Sequence, residues 1–245
     1  MEVHGNSMII PCTSMISVIP CPSMIWVEKM NAPVYKRIVL EISGEMLKGE
    51  SKDPIDFGFL DDLAKELIAI QNYGVELGVV VGGGNLWRGA SVSQIERATS
   101  HQVGMLATVM NALVIRSILE KHGSKCHIAS TVEIKPIVES FDHRQVIERL
   151  EDNEIIIFSG GTGQPFFTTD TGAALWALKI QADVILKGTK VDGVYSCDPL
   201  KNKNARKYPR ISYKEAIQKE LRVMDLTAFS LLMENQIPII VFKLT

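Results

Sequence analysis

The chain has no CxxC pair. Its four cysteines, Cys12, Cys21, Cys126 and Cys197, are scattered, so neither a zinc spacing nor a disulfide framework is present, and a reducing, cytoplasmic setting is expected. It also lacks an excess of either charge. The 26 Lys and Arg face 28 Asp and Glu, a net charge of -2. That excludes a general nucleic-acid surface and makes any phosphate recognition local. The N-terminal apolar stretch does not read as a membrane span. The apolar residues 8–27 are broken by Pro11, Pro20 and Pro22 and diluted by Ser and Thr, which argues against a spanning helix. No Lys or Arg precedes this stretch, so a signal peptide is not expected either. Methionines recur at Met1, Met8, Met15, Met24 and Met30, and folded-domain patterning starts only at Tyr35. The expectation is that Met30 is the physiological start. Residues 1–29 then form a disordered tail or a mis-assigned start, and residues 30–245 a single domain.

From Tyr35 onward strand-like and helix-like segments alternate. Ile38-Val39-Leu40, residues 75–81, 124–128, 155–158, 182–186 and 237–242 read as strands. Leu60, Leu63, Ala64, Leu67 and Ile68 follow the spacing of one helix face. A long helix follows the second strand and is expected to turn Met105, Leu106, Val109, Met110, Leu113 and Ile118 toward a core. Residues 145–150 read as a short helix. Ser212 with Glu215 is a capping-box signature, and Asp225 is placed to cap a helix through Leu232. Alternation of this kind predicts an α/β fold: a mostly parallel central sheet with helices on both faces, a three-layer sandwich. At 245 residues with 46% hydrophobic content, the chain can bury a large core. No internal repeat or low-complexity segment occurs after residue 34.

Right-handed crossovers align the strand C-termini on one edge. Four ligand-type turns fall there: Ser43-Gly44, Gly82-Gly83-Gly84, residues 160–163, and residues 187–190. Together they describe one long site able to hold two substrates. The most informative turn is residues 159–170, Ser-Gly-Gly-Thr-Gly-Gln-Pro-Phe-Phe-Thr-Thr-Asp. It lies between an apolar strand and a helix starting near Ala173. Its backbone N–H groups and the helix N-terminus converge on one place, as anion sites require. Phe166 and Phe167 offer a flat apolar surface suited to a nucleobase or ribose. The plainer alternative is a sharp turn whose aromatics belong to the core.

Two common nucleotide designs are excluded. The nearest P-loop match, Gly44 to Gly49, is followed by Glu50-Ser51 and lacks the phosphate lysine. The nearest dinucleotide fingerprint, Gly82-x-Gly84, lacks its third glycine.

Another design fits. The segments Tyr35 to Leu40, Ser43-Gly44-Glu45, Gly82 to Gly89, Gly104 to Thr108, Gly161 to Asp170, Lys187 to Tyr195 and Val223-Met224-Asp225-Leu226 resemble the bacterial uridylate (UMP) kinases of the amino acid kinase superfamily. The resemblance runs from about Met30 to the C-terminus. It implies transfer of the γ-phosphate of ATP to UMP, giving UDP in pyrimidine nucleotide biosynthesis, with Mg2+. It also implies a homohexamer activated by GTP and inhibited by UTP, with no nucleic-acid or membrane partner. Phosphoryl transfer needs two nucleotides held in line and neutralisation of the moving charge.

On that basis Ser43, Gly44, Gly84 and Arg88 would take the ATP phosphates, and Thr189, Tyr195 and Asp198 the adenosine. Lys187 and Lys190 supply positive charge near the donor. Gly83, His101, Gly161, Thr162, Gly163, Gln164, Pro165, Phe166, Phe167 and Thr168 would enclose UMP. Asp170 would orient the catalytic lysines or the metal. Each has a plainer reading: Arg88 as a surface group, Asp170 as a helix N-cap, Tyr195 as packing, Asp225 as a cap.

The chain departs from the family pattern at four places. Glu41 stands where the family carries a catalytic lysine, in Glu41-Ile42-Ser43-Gly44, and either weakens catalysis or leaves it to Lys48, Lys187 or Lys190. His101 replaces a ribose-binding aspartate, and Gln164 an asparagine. The family also continues past Phe242, so the domain reads as short at its C-terminus with an exposed sheet edge. Two functions stay open: a UMP kinase, active or impaired by Glu41, and a non-catalytic nucleotide-binding regulatory protein on the same fold. A third, a kinase of the superfamily acting on a carboxylate or carbamate, is opposed by residues 161–170.

Overall fold

The computed structural model describes residues 15–18, 33–49, 51–88, 93–138, 140, 142–221 and 223–244. Runs of Val, Ile and Leu form the strands β2 (Arg37–Ile42), β3 (Glu76–Val81), β4 (Cys126–Ser130), β5 (Ile155–Ser159), β6 (Val184–Thr189) and β10 (Ile239–Lys243). All pair in parallel, and β3 and β5 are buried along their whole length. Burial on both faces explains why these strands read as apolar runs rather than alternating patterns. The strand order is β4-β5-β3-β2-β6-β10-β1-β9, where β1 is Met15–Val18 and β9 is Arg210–Ser212. A separate hairpin pairs β7 (Val194–Tyr195) with β8 (Lys207–Tyr208).

One face of the sheet packs against α1 (Phe57–Asn72) and α2 (Arg97–Lys121) through Leu60, Leu67, Val109, Ile115 and Leu119. The other packs against α3 (His143–Glu151), α4 (Thr169–Lys179), α5 (Tyr213–Gln218) and α6 (Leu226–Glu234). This is the expected three-layer arrangement. Both expected caps form. Ser212 and Glu215 close a capping box on α5, and the Asp225 carboxylate accepts from Ala228 N on α6.

Three features differ from the sequence reading. The first concerns α2. Leu106 and Met110 do not reach the core: they are 45% and 56% exposed. The buried positions are Ser100, Ala107, Thr108, Val109, Asn111, Ala112, Ile115 and Leu119, so of the expected residues Val109 is in the core and Leu113 and Ile118 pack partly against it. A helix apolar on all sides gives no phase to choose its buried face, and here the smaller residues win because they let the helix approach the strands. The second concerns β10, whose edge is not bare. β1 lies parallel against it, with Ile16 opposite Ile239 and Val18 opposite Val241, and β9 pairs antiparallel on the far side of β1. The third follows from it. Within the expected tail, Met15 to Val18 form a sheet strand, because a parallel partner supplies the backbone hydrogen bonds that a free segment leaves to water. The rest of residues 1–29 lies outside the described residues.

Candidate active site

The strand C-termini assemble as the turn pattern requires. Ser43 ends β2 and caps a short 3-10 helix, its hydroxyl accepting from Glu45 N. Gly44 packs directly on the turn that follows β3. A Cβ on Gly44 would lie 2.5 Å from Gly84 N and 2.6 Å from Gly82 O. Two backbones can touch this closely only without a side chain. Gly83 is constrained from another side, since a Cβ there would lie 2.7 Å from Gly104 O and 2.9 Å from the Ala107 methyl. Packing against α2 therefore already demands glycine at this position. Gly84 has more room, its nearest neighbour to a Cβ being Glu45 Cγ at 3.6 Å.

Gly44→Ala tests the turn-on-turn contact. Overpacking of this kind costs about 1–3 kcal/mol, and here both neighbours are backbone. The expected result is a lower urea midpoint with an unchanged m-value, together with loss of ATP-analogue binding.

A side-chain scaffold holds these turns from behind. Asn111, fully buried on α2, donates to Gly82 O at 2.7 Å and exchanges hydrogen bonds with the Asn85 amide. The Thr108 hydroxyl accepts from Gly160 N at 2.7 Å, and Thr131 donates to Gly160 O. The sequence reading assigned none of these a role. The available signal was an amide and a hydroxyl inside an otherwise apolar helix, since a buried polar group needs a partner.

Two cavities flank the strand ends. One, of about 590 Å³, is lined by Lys187, Thr189, Tyr195, Asp198, Cys197 and Val223 among others. The second, of about 200 Å³, is lined by Gly83, His101, Gly161, Thr162, Gln164, Phe167 and Thr168, with Gly104, Met105, Thr108 and Thr169. Gly163, Pro165 and Phe166 do not line it. Phe166 stands 60% exposed and Phe167 46% exposed, so the reading of both as core aromatics does not hold. The Phe166 ring centre lies 5.3 Å from that of His101, with the Arg97 guanidinium 5.6 Å away over its face. His101 Nε2 is buried and meets no hydrogen-bond partner among the described residues.

Glu45 gathers the phosphate-side cations. It pairs with Arg88, and its other oxygen lies 3.9 Å from Lys190 Nζ. Tyr195 donates to Asp192 at 2.6 Å. Lys48 lies on the 3-10 helix behind Ser43.

Behind Lys187, which lines the larger cavity, sits a buried charge triad. Glu41 and Lys187 are ladder neighbours on β2 and β6, and Lys187 Nζ donates to Glu41 Oε1 at 2.8 Å and to Asp170 Oδ1 at 2.6 Å. Asp170 is not the cap of α4. That role belongs to Thr168, whose hydroxyl accepts from Asp170 N. Asp225 reaches across: its backbone N–H donates to Asp170 Oδ2 at 3.1 Å, and its carboxylate takes the Thr168 and Thr171 hydroxyls. A cap of α6 thus also fixes the start of α4.

Burial pushes the Glu41 carboxyl up to about 8. Lys187 pulls the other way, and Asp170, which shares a hydrogen bond with it, adds to the rise. Burial would raise Asp170 too, but Lys187 outweighs it and holds that carboxyl below its ordinary range. Burial would lower Lys187, and the two carboxylates outweigh it and raise the ammonium further. One proton therefore belongs to the carboxylate pair, and the lysine stays charged.

The sequence model of the Amino acid kinase family matches residues 36–243. The chain belongs to the amino acid kinase family. Among curated relatives it is 46% identical over 218 residues to the uridylate kinase of Histophilus somni (strain 129Pt), spanning 88% of this chain and 92% of that one. Among solved structures it resembles the UMP kinase of Ureaplasma parvum, with a TM-score of 0.81, 35% identity, and coverage of 85% and 90% of the two chains. The UMP kinase of Bacillus anthracis follows at a TM-score of 0.80, 30% identity, and coverage of 85% and 87%. The family match covers the whole sheet from β2 to β10 and leaves β1 outside it.

Proposed function

We propose that the chain transfers the γ-phosphoryl group of ATP to UMP and releases UDP. The observation that carries this reading is a charged centre, Glu41, Lys187 and Asp170, at the strand ends, with two cavities beside it, the larger lined by Lys187 itself and the smaller by Gly83 and Gly161. Its relatives at 46% and 35% identity are a uridylate kinase and a UMP kinase. ATP lies with its adenosine in the larger cavity against Thr189, Tyr195 and Asp198, and its phosphates extend to Ser43, Gly44, Gly84 and Arg88, which line neither cavity. UMP occupies the smaller, enclosed by Gly83, His101, Gly161, Thr162, Gln164, Phe167 and Thr168, with Phe167 against its base.

Transfer here needs alignment and charge neutralisation rather than a covalent intermediate. Lys187 stabilises the charge on the moving group, Asp170 fixes the direction of the ammonium, and Asp225 fixes Asp170. Mg2+, bound with ATP, would supply further neutralisation of phosphate charge. The centre itself offers it little, since Glu41 Oε1 and Asp170 Oδ1 already accept from Lys187 and Asp170 Oδ2 from Asp225 N. The assembly is a cytoplasmic homohexamer with GTP as activator and UTP as inhibitor.

One observation favours the non-catalytic alternative: Lys187 is already engaged by two carboxylates. UDP formation from ATP, Mg2+ and UMP decides between them. Turnover that needs UMP and disappears in Lys187→Ala supports the kinase. Saturable UMP binding by calorimetry without UDP formation supports the binding protein.

A further inference from the structure

β1 fills a slot between two strands that do not pair with each other. On one side it runs parallel to β10, with Ser17 opposite Ile240, and on the other antiparallel to β9, with Ser17 opposite Arg210. Among the described residues β9 has no other strand beside it, so its ladder to the sheet passes through β1 alone. The family match over residues 36–243 contains both walls of the slot, β9 and β10, but not the strand that fills it.

The slot adjoins the larger cavity. Val18 pairs with Val241, Val241 with Lys187, and Lys187 with Glu41, so the last residue of β1 lies in the same row of the sheet as the buried charge centre. Val241 and Lys187 both line the larger cavity. In the chain, β9 stands between two other parts of the cavity wall. Before it comes the β7–β8 hairpin, where Val194 and Tyr195 line the cavity and pair with Tyr208 and Lys207. After it comes α5, and then Leu221 and Val223, which line the cavity too. α5 keeps an anchor of its own, since the buried Tyr213 hydroxyl donates to Ile237 O at 2.6 Å. Losing β1 would therefore loosen the wall without undoing the fold.

We propose that β1 is a clip: docked between β10 and β9, it holds the wall of the larger cavity in place and so sets the affinity of that cavity for its nucleotide. A strand added to a sheet edge is held by main-chain hydrogen bonds, and without it the facing edges of β9 and β10 would leave their backbone groups to water. Four residues form few such bonds, so the clip can open locally while the rest of the sheet stays folded. The nucleotide in the cavity rests on the ATP reading above, and the link from β1 to the cavity wall does not.

The test uses the full chain. Adjacent residues of a strand direct their N–H groups to opposite neighbours, so the double variant Ile16→Pro, Ser17→Pro takes one donor from each ladder. Ser17→Thr keeps both ladders and serves as the control. Hydrogen exchange, read by mass spectrometry, is expected to be at least tenfold faster in the double variant across residues 207–212, and faster also at the cavity wall across 194–198 and 220–223. Ser17→Thr should match the wild-type chain. By calorimetry the double variant should bind β,γ-imido-ATP at least tenfold more weakly, while UMP binding changes less than twofold, because the smaller cavity takes no lining residue from β9 or β10. A cooperative thermal transition shows that each variant folds, and if the double variant lacks one, Ser17→Pro alone carries the same test. Equal exchange across residues 207–212 would overturn the proposal, as would faster exchange there with the cavity wall and the analogue affinity unchanged. If the wild-type chain does not bind the analogue but the exchange difference reaches the cavity wall, the nucleotide reading falls and the clip stands.

Discussion

Glu41→Lys is expected to raise UDP formation about a thousandfold. The substitution replaces a carboxyl that shares one proton with Asp170 by an ammonium, which adds one attraction at the centre where Lys187 and Asp170 meet. A unit pair at about 4 Å is worth about 4 kcal/mol at an effective dielectric near 20, and a thousandfold is about 4 kcal/mol of barrier. A cost accompanies the gain. Position 41 is 3% exposed and its ladder neighbour is Lys187, so two ammoniums would share Asp170 as counter-ion. The variant should melt at a lower temperature than the wild-type chain and recover when ATP and UMP are added, because ligands that bind only the folded state stabilise it. Steady-state rates, with melting curves in parallel, check both halves. Equal rates would mean that the transferring group does not pass near strand position 41.

Lys187→Met is expected to abolish turnover and to cost about 3–5 kcal/mol of stability at pH 8, the usual effect of removing one partner from a buried charge pair. The loss should depend on pH. In the folded, metal-free chain Glu41 titrates near 8, well above its ordinary 4.5. The folded state therefore binds this proton more tightly than the unfolded state. The stabilisation is complete below about 4.5 and is lost as pH rises through about 8. Asp170 behaves oppositely: its carboxyl is depressed, so its contribution is present above its ordinary value and is lost as pH falls through the lower folded value. Without Lys187 nothing holds Glu41 down, and Asp170 keeps only the Asp225 N–H and its hydrogen bond with Glu41. Both would be driven up by burial and mutual repulsion, and the decline between pH 5 and 8 should steepen. Urea unfolding in EDTA at pH 5, 6.5 and 8 should show the two proteins converging at the acid end. A deficit constant across that range would assign the role of Lys187 to packing rather than charge.

The local parts of this protein were legible in its residues. Unbroken Val and Ile runs marked β3 and β5 because a strand covered on both faces needs no polar side. Ser212 with Glu215, and Asp225, marked the starts of α5 and α6 because a cap acts over three residues. The glycines where β3 hands over to α2 marked a tight turn, and the structure shows that Gly44 and Gly83 are fixed by backbone and helix contact. α2 was misphased because its apolar residues surround the whole helix, so Leu106 and Met110 face outward. The edge of β10 was misjudged because its partner β1 comes from the opposite end of the chain.

What the sequence by itself determined is the set of elements, their caps, the α/β class, and the strand-end turns that carry a family's ligand chemistry. All of these depend on interactions between residues close in the chain. Only the tertiary structure decided that Glu41 meets Lys187 across 146 positions, that Asp225 holds Thr168 across 57, and that Met15 to Val18 enter the sheet between β10 and β9. Those contacts follow from strand order and parallel crossovers, which bring distant residues together without leaving a spacing between them to read.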